Sequence, residues 1–321
     1  MQDRRDNSKI YGVYCSQDFD LKSAYGAVFA ALAGDVLLLR PDEVEAPELI
    51  RFALCWEPAP EAFDTYPALE LAIAAGAGVD RLLAHPGLRP EMKVARIRDT
   101  EQAYQMAGFA AHEVLHYERG FDQLRANAKA RLWTDVLGRS PGSVTVALLG
   151  HGTMGQAVVK SLTALGFDLR VASRSAPTAP LPGVTYFSGD MAVMEAATGA
   201  DYLINLLPLT KATEGALNAD LFARLAPGAR LIQIGRGEHL VEGDLIAALD
   251  SGQMSAASLD VFRQEPLPAD HPFWAHPKLR LTPHLASHTL PEELVRQVIA
   301  CARALRDGET CDSIVDPARG Y

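Results

Sequence analysis

The chain has 321 residues, a length that as a prior holds about two domains of ~150 residues each. Hydrophobic residues make up 48% and charged residues 22%, which matches globular usage and excludes a solvated, disordered polyelectrolyte. Lys and Arg number 30 against 40 Asp and Glu, and the formal net charge of -10 repels nucleic-acid phosphates and anionic lipid, so neither nucleic acid nor membrane is an expected partner.

The opening residues carry charge of both signs with no apolar stretch behind them, so no secretory signal is expected. The most apolar early stretch, 27–39, is interrupted by Gly34-Asp35 and falls short of the ~20 residues of a membrane helix. Cys15, Cys55, Cys301 and Cys311 are scattered, without the paired spacing of a metal site. They read as reduced thiols of a cytoplasmic protein.

Short apolar runs at 10–13, 36–39, 52–56, 69–75 and 82–84 alternate with helical patterns, the rhythm of βα units on a parallel sheet. From about 100 to 131 no proline intervenes, and Met106, Phe109, Ala110, Val114 and Tyr117 recur every three or four residues, which predicts one long amphipathic helix. Arg139-Ser140-Pro141-Gly142 then punctuates the chain, and 144–149 is a buried-strand run that leads straight into glycines. Strands at 169–172, 202–207, 230–234, 258–262 and 279–282, with helices at 154–165, 218–225 and 242–250, predict a doubly wound sheet. A last helix at 290–305 is placed to return to the first domain, which would make that domain discontinuous.

Gly150-His151-Gly152-Thr153-Met154-Gly155 fits G-x-G-x-x-G between a predicted strand and a predicted helix. Gly150 permits the tight turn, Gly152 admits a pyrophosphate to the backbone, Gly155 allows close packing, and Thr153 and Met154 open the helix, whose N-terminus favours an anion. A glycine-rich turn without a ligand is the plain alternative. The next strand runs into Ser173-Arg174-Ser175, where an NAD site normally places a carboxylate for the ribose hydroxyls. Here an arginine and two hydroxyls suit a 2′-phosphate, so NADPH is favoured, with NADH the second choice.

Three further segments stand at predicted strand ends: Ile234-Gly235-Arg236-Gly237, the stretch from Leu259-Asp260 to Glu265-Pro266-Leu267-Pro268, and Leu281-Thr282-Pro283-His284-Leu285. Together they supply a cation, a carboxylate and an imidazole. Reduction of a 2-keto acid needs a cation to hold the carboxylate and polarise the carbonyl, which Arg236 does by a forked contact. It also needs a proton for the oxygen, which His284 supplies if a carboxylate such as Glu265 favours the imidazolium and fixes its tautomer. Taken singly, Arg236 reads as a surface ion-pair partner, Glu265 as a cap and His284 as a core histidine; their joint order carries the functional reading.

This order of motifs resembles the D-2-hydroxyacid dehydrogenase family. Ala75-Gly76-Ala77-Gly78-Val79-Asp80, with the ending Val315-Asp316-Pro317-Ala318-Arg319-Gly320-Tyr321, resembles its glyoxylate/hydroxypyruvate reductase A branch, and the likeness covers nearly the whole chain beyond about residue 50. The resemblance implies Arg236, Glu265 and His284 as catalytic residues. It implies the amides of Ala77, Gly78 and Val79, with Arg236, as the seat of the substrate carboxylate, and Trp56 at the border of the pocket. Leu207, Pro208, Thr213 and Gly235 would line the cofactor, and Asp260 would face the nicotinamide amide. The fold so implied is α/β with two doubly wound parallel-sheet domains: a Rossmann cofactor domain over 101–287 and a flavodoxin-like substrate domain over 1–100 and 288–321. A homodimer and a small 2-keto acid, glyoxylate or hydroxypyruvate, are the implied partners. The chain departs from the family pattern at Gly235, where Ala is usual, at Gln233, where Asn is common, and at Ser287-His288, which bears on substrate preference.

Two other readings compete. His112-Glu113-Val114-Leu115-His116 fits H-E-x-x-H on a predicted helix, a zinc hydrolase pattern, but Arg119 and Asp122 stand where the extended motif needs Gly and His, so no metal is expected. A dinucleotide sensor without catalysis is the other, since fold alone does not entail activity.

Overall fold

The computed structural model describes residues 8–316, in two compact units, 8–99 with 289–316, and 100–288. Residues 317–321 of the C-terminal motif lie outside the described residues.

The first unit begins with β1 (Ile10–Ser16), α1 (Leu21–Leu32), β2 (Val36–Leu39), β3 (Ile50–Trp56), β4 (Leu71–Ala74), α2 (Asp80–Leu83) and β5 (Lys93–Ala95). Its five strands run in the order β2-β1-β3-β4-β5, parallel at every pair, which is the flavodoxin-like order. Phe52 and Leu54 of β3 enter one core cluster and Ala53 and Cys55 the other, as the two-residue period of a strand requires. The apolar run at 82–84 belongs to α2 and its last turn rather than to a strand. Leu83 N donates to Val79 O at 2.8 Å there, and the fifth strand comes later, where Val94 pairs with Ala72.

The second unit comprises α3 (Thr100–Glu118), α4 (Phe121–Lys129), β6 (Thr145–Leu149), α5 (Thr153–Ala164), β7 (Asp168–Ser173), β8 (Val184–Ser188), α6 (Ala192–Ala197), β9 (Tyr202–Asn205), α7 (Ala219–Phe222), β10 (Ala229–Gln233), α8 (Glu242–Ser251), β11 (Met254–Leu259) and β12 (Leu279–Leu281). Its seven strands run β12-β11-β10-β9-β6-β7-β8, all parallel. Counted from β6, this is the dinucleotide-fold order with one strand added at the β12 edge. Leu149, Leu203, Leu231 and Leu259 face a core under α6, α7 and α8, while Val146, Leu148, Ile204 and Ile232 face a core under α3 and α5. The helix expected over 100–131 is two helices, because Gly120 takes φ +59 between them. The sequence reading passed over β8 and α6: β8 is a half-exposed edge strand and α6 has 6 residues, too few for a helical period to show.

The chain then returns to the first unit as α9 (Pro291–Arg306). Proline at the first helical position starts it, and Leu294, Val295, Val298, Ile299, Ala302 and Leu305 bury one stripe in the core shared with Phe52 and Leu54. Cys301 on this helix and Cys311 form a disulfide, their Cα atoms 5.1 Å apart, against the expectation of four reduced thiols. The chain doubles back after α9 and brings the two cysteines together, a fold-back that spacing alone does not announce. Cys15 and Cys55, register partners on β1 and β3, are free and buried. Among the described residues no helix is long and apolar enough to cross a membrane.

Candidate active site

Because the second sheet is parallel throughout, the C-terminal ends of its strands share one edge, and the candidate residues of that unit follow those ends one by one. The glycine loop follows β6, Ser173-Arg174-Ser175 closes β7, Leu207, Pro208 and Thr213 follow β9, Gly235 and Arg236 follow β10, Asp260 and Glu265 follow β11, and His284 follows β12. The strand order reverses between β6 and β9, the switch point at which open α/β sheets take ligands.

Backbone contact at that point dictates the glycines. Gly150 has φ +104, and a Cβ there would lie 2.5 Å from Leu206 O; a Cβ at Gly155 would lie 2.1 Å from Gly150 O. A Cβ at Gly152, the N-cap of α5, would meet nothing within 4 Å, so this position leaves open space over the helix N-terminus, and Thr153 and Met154 form the first turn beneath it. The residues present fit a dinucleotide pyrophosphate. At the end of β7 the Ser173 hydroxyl donates to Ser175 O at 2.8 Å, shaping a turn on which Arg174 is exposed. The Thr213 hydroxyl donates to Pro208 O at 2.7 Å and holds the loop after β9.

His284 takes φ +53, a setting rare for a residue with a side chain, and the bonds around it explain how it is held. Its N–H donates to Asp260 O at 2.8 Å. Asp260, buried, accepts from Thr282 Oγ1 at 2.6 Å and from Leu285 N and Ala286 N at 2.9 Å, so one carboxylate fixes the chain on both sides of His284. Burial pushes the Asp260 carboxyl above its usual range, against the pull of these hydrogen bonds. The His284 ring places Nδ1 2.7 Å from Glu265 Oε2. Glu265 is itself oriented, its Oε1 accepting from Phe262 N at 2.8 Å. An ionised carboxylate only accepts, so Nδ1 carries the hydrogen and Nε2 is left to meet a substrate. Arg236, half-buried, is on extended backbone and donates from Nη1 to Gly235 O at 2.8 Å.

The remaining expected substrate residues belong to the first unit. Trp56 ends β3, is 41% exposed, and meets the Phe19 ring edge-on at 6.4 Å. Ala77 and Gly78 are half-buried and Val79 is buried, in the loop that enters α2.

The H-E-x-x-H pattern is spent on structure. Glu113, buried, accepts from Arg280 Nε at 3.0 Å and from the Ser258 hydroxyl. His116 Nε2 lies 2.9 Å from Asp122 Oδ2 and 3.0 Å from Arg280 Nη1. With a guanidinium seated between Glu113 and His116, a zinc ion has no place there, and the zinc hydrolase alternative falls. Among the described residues no cluster of three or more His, Cys, Asp or Glu is disposed to hold a metal. Missed by the sequence reading were Asn205, which closes β9, and His239, which ends the turn 237–239 just after Arg236, both fully buried polar side chains; the one signal was a polar residue closing the otherwise apolar strand at Asn205.

Comparisons with known proteins bear on the family and fold of the chain. The family model for the NAD binding domain of D-isomer specific 2-hydroxyacid dehydrogenases matches residues 111–286. Glyoxylate/hydroxypyruvate reductase A of Serratia proteamaculans is 42% identical over 275 residues, 84% of this chain and 87% of its own, and that of Yersinia enterocolitica is 40% identical over the same shares. A D-isomer specific 2-hydroxyacid dehydrogenase from Xanthobacter autotrophicus, solved with NADPH and MES, is 37% identical with a TM-score of 0.88, covering 98% of this chain and 100% of that one. An NADPH-dependent glyoxylate/hydroxypyruvate reductase from Sinorhizobium meliloti, solved with NADP and sulfate, is 31% identical with a TM-score of 0.89 over the same shares. The family match runs from α3 through the glycine loop to the residues just past His284, the same stretch that carries the oriented imidazole, and the chain belongs to the D-isomer specific 2-hydroxyacid dehydrogenase family.

Proposed function

We propose that this protein reduces a small 2-keto acid, glyoxylate or hydroxypyruvate, to the corresponding D-2-hydroxy acid with NADPH. The observation that carries the reading is the Glu265–His284 pair, 2.7 Å apart, on the strand edge that also bears Arg236 and the glycine loop. Bound NADPH supplies the hydride. Arg236 grips the substrate carboxylate and draws electron density from the adjacent carbonyl. His284 gives its Nε2 proton to the carbonyl oxygen as the carbon accepts the hydride, so one hydride and one proton turn C=O into CH–OH. Glu265 keeps the Nδ1–H in place and balances the charge of the imidazolium before transfer.

Gly150, Gly152, Gly155, Thr153, Met154, Leu207, Pro208, Thr213 and Gly235 hold the cofactor in this reading. Ser173, Arg174 and Ser175 would take its 2′-phosphate, and Asp260 would face the nicotinamide amide. The amides of Ala77, Gly78 and Val79 and the Trp56 ring serve the substrate by the family's pattern. The names of the relatives support the substrate class, and the bound groups of the solved structures support the cofactor.

We also propose a homodimer in the cytoplasm. The dimer is supported by the apolar side chains of the irregular segment after α4, where Leu132, Trp133 and Leu137 are 58%, 101% and 92% exposed, a cost that a second copy would remove. A spectrophotometric panel of 2-keto acids against NADPH and NADH tests the activity. Turnover of glyoxylate and hydroxypyruvate with preference for NADPH is expected; no cofactor oxidation with any small 2-keto acid would leave only a dinucleotide-binding role.

A further inference from the structure

Behind the loop that carries Arg236 lies a polar network sealed from solvent, made of Asn205, Gln233 and His239, each 0% exposed. Buried polar groups are costly unless paired, so the partners define the state of each. Gln233 Oε1 accepts from Asn205 Nδ2 at 2.8 Å, and Gln233 Nε2 donates to Arg236 O at 2.8 Å. Asn205 Oδ1 accepts from Leu207 N at 3.2 Å. His239 Nδ1 stands 3.1 Å from Arg236 N and 2.9 Å from Asn205 Nδ2, both donors, so Nδ1 is an acceptor. Its Nε2 stands 3.3 Å from Pro208 O, which only accepts, so Nε2 carries the hydrogen.

The peptide groups of Arg236 are thus held by two side chains: Gln233, at the end of β10, reaches the C=O, and His239, three residues on in the turn Gly237–His239, takes the N–H. The same imidazole reaches Pro208, in the loop after β9 that we assign to the cofactor. Gly235 suits this arrangement, since a Cβ there would lie 2.8 Å from Asn205 Nδ2 and 3.2 Å from His239 Nδ1, and these side chains would have to shift to admit it. The two departures from the family pattern, Gln233 and Gly235, therefore form one coupled set.

We propose that His239 is a positioning residue for Arg236: its neutral ring fixes the backbone from which the guanidinium reaches the 2-keto acid, and ties that backbone to the cofactor-lining loop. This rests on the role of Arg236 proposed above. A displaced guanidinium loses its forked grip and its alignment on the carbonyl, and such errors cost up to ~100-fold in rate. The test compares His239→Leu, His239→Asn and His239→Gln by kcat and KM for glyoxylate and by the Kd of NADPH. Asn places Oδ1 where Nδ1 stood and restores the acceptor for Arg236 N; Gln places its amide nitrogen where Nε2 stood and restores only the link to Pro208.

The expected result is a fall of about 10- to 100-fold in kcat/KM for Leu, with NADPH Kd within about three-fold of the parent, and recovery of most of that loss by Asn but not by Gln. Parental kcat/KM in the Leu variant, equal losses in Asn and Gln, or a loss confined to NADPH Kd would each overturn the proposal. Should the Leu variant not fold, the Asn against Gln comparison decides alone. A parent protein that turns over no 2-keto acid would sink the functional reading itself, whereas an active parent with indifferent variants would sink only the role of His239.

Discussion

His284 occupies left-handed backbone at φ +53, a conformation that persists in a non-glycine residue only where the surroundings impose it. Asp260 imposes it here, and the result is an imidazole whose Nδ1–H is committed to Glu265. Replacing His284 with Gln removes the ionisable donor, so kcat should fall by ~10²- to 10⁴-fold while NADPH binding, followed by its fluorescence, changes little; unaltered turnover would take His284 out of the mechanism. Arg174→Asp exchanges a phosphate partner for a ribose-hydroxyl acceptor, and the NADPH to NADH ratio of kcat/KM should drop by ~10- to 100-fold. A ratio that stays put would mean that the 2′-phosphate is read elsewhere. The glycine loop and the His284 segment were legible in the sequence because their chemistry depends on close neighbours in the chain. Gln233 was legible only as a departure from the family pattern, and Asn205 and His239 not at all, because the contacts of Asn205 with Gln233 and His239, and of His239 with Pro208, form only in the fold. Asp260 was legible as important, but its grip on Thr282, Leu285 and Ala286 was not.

At the scale of elements, α9 shows how a helix late in the chain is tied to the start of the first sheet. Asp35, just ahead of β2, accepts from Arg303 Nε at 2.9 Å and Nη2 at 2.6 Å, and from Arg306 Nη1 at 2.8 Å. The hydrogen bonds from Arg303, joined by those from Arg306, hold its carboxyl well below the usual carboxylate range. With the folded value below the unfolded one, at ~3.9, this stabilisation is present above about pH 4 and is lost as pH falls through the range beneath it. Asp35→Asn should therefore lower Tm by a few degrees at neutral pH, and the two melting curves should converge toward about pH 2. A difference in Tm that did not change with pH would argue against the ion pairs. The buried stripe of α9 was readable from its period, but Asp35 and the Cys301–Cys311 bond were not, since nothing local marks a residue for a partner across the sheet or beyond a turn. The helix break at Gly120 was hidden for a related reason: apolar residues keep their helical spacing up to Tyr117, and the turn depends on one backbone angle.

For the whole molecule, the two parallel sheets followed from the alternation of apolar runs and amphipathic stretches, whereas the strand orders became visible only through pairing. The dimer is testable at this scale. Light scattering on the intact protein should give roughly twice the 34.6 kDa chain mass, and Trp133→Ser with Leu137→Ser should shift it to the monomer value; a parent that is monomeric at all concentrations would dismiss the segment after α4 as an interface. One further property comes from how the chain enters and leaves the second unit. That unit is an uninterrupted run, 100–288, set between two pieces of the first. Near its ends, Gln105 Nε2 donates to His288 O at 3.2 Å and Gln105 Oε1 accepts from His288 N at 3.1 Å, so entry and exit leave side by side. In genetic terms it is a cassette. Expressed alone, 100–288 should yield a freestanding nucleotide-binding module, and a short linker in its place should let the flanking pieces of the host reassemble around α9.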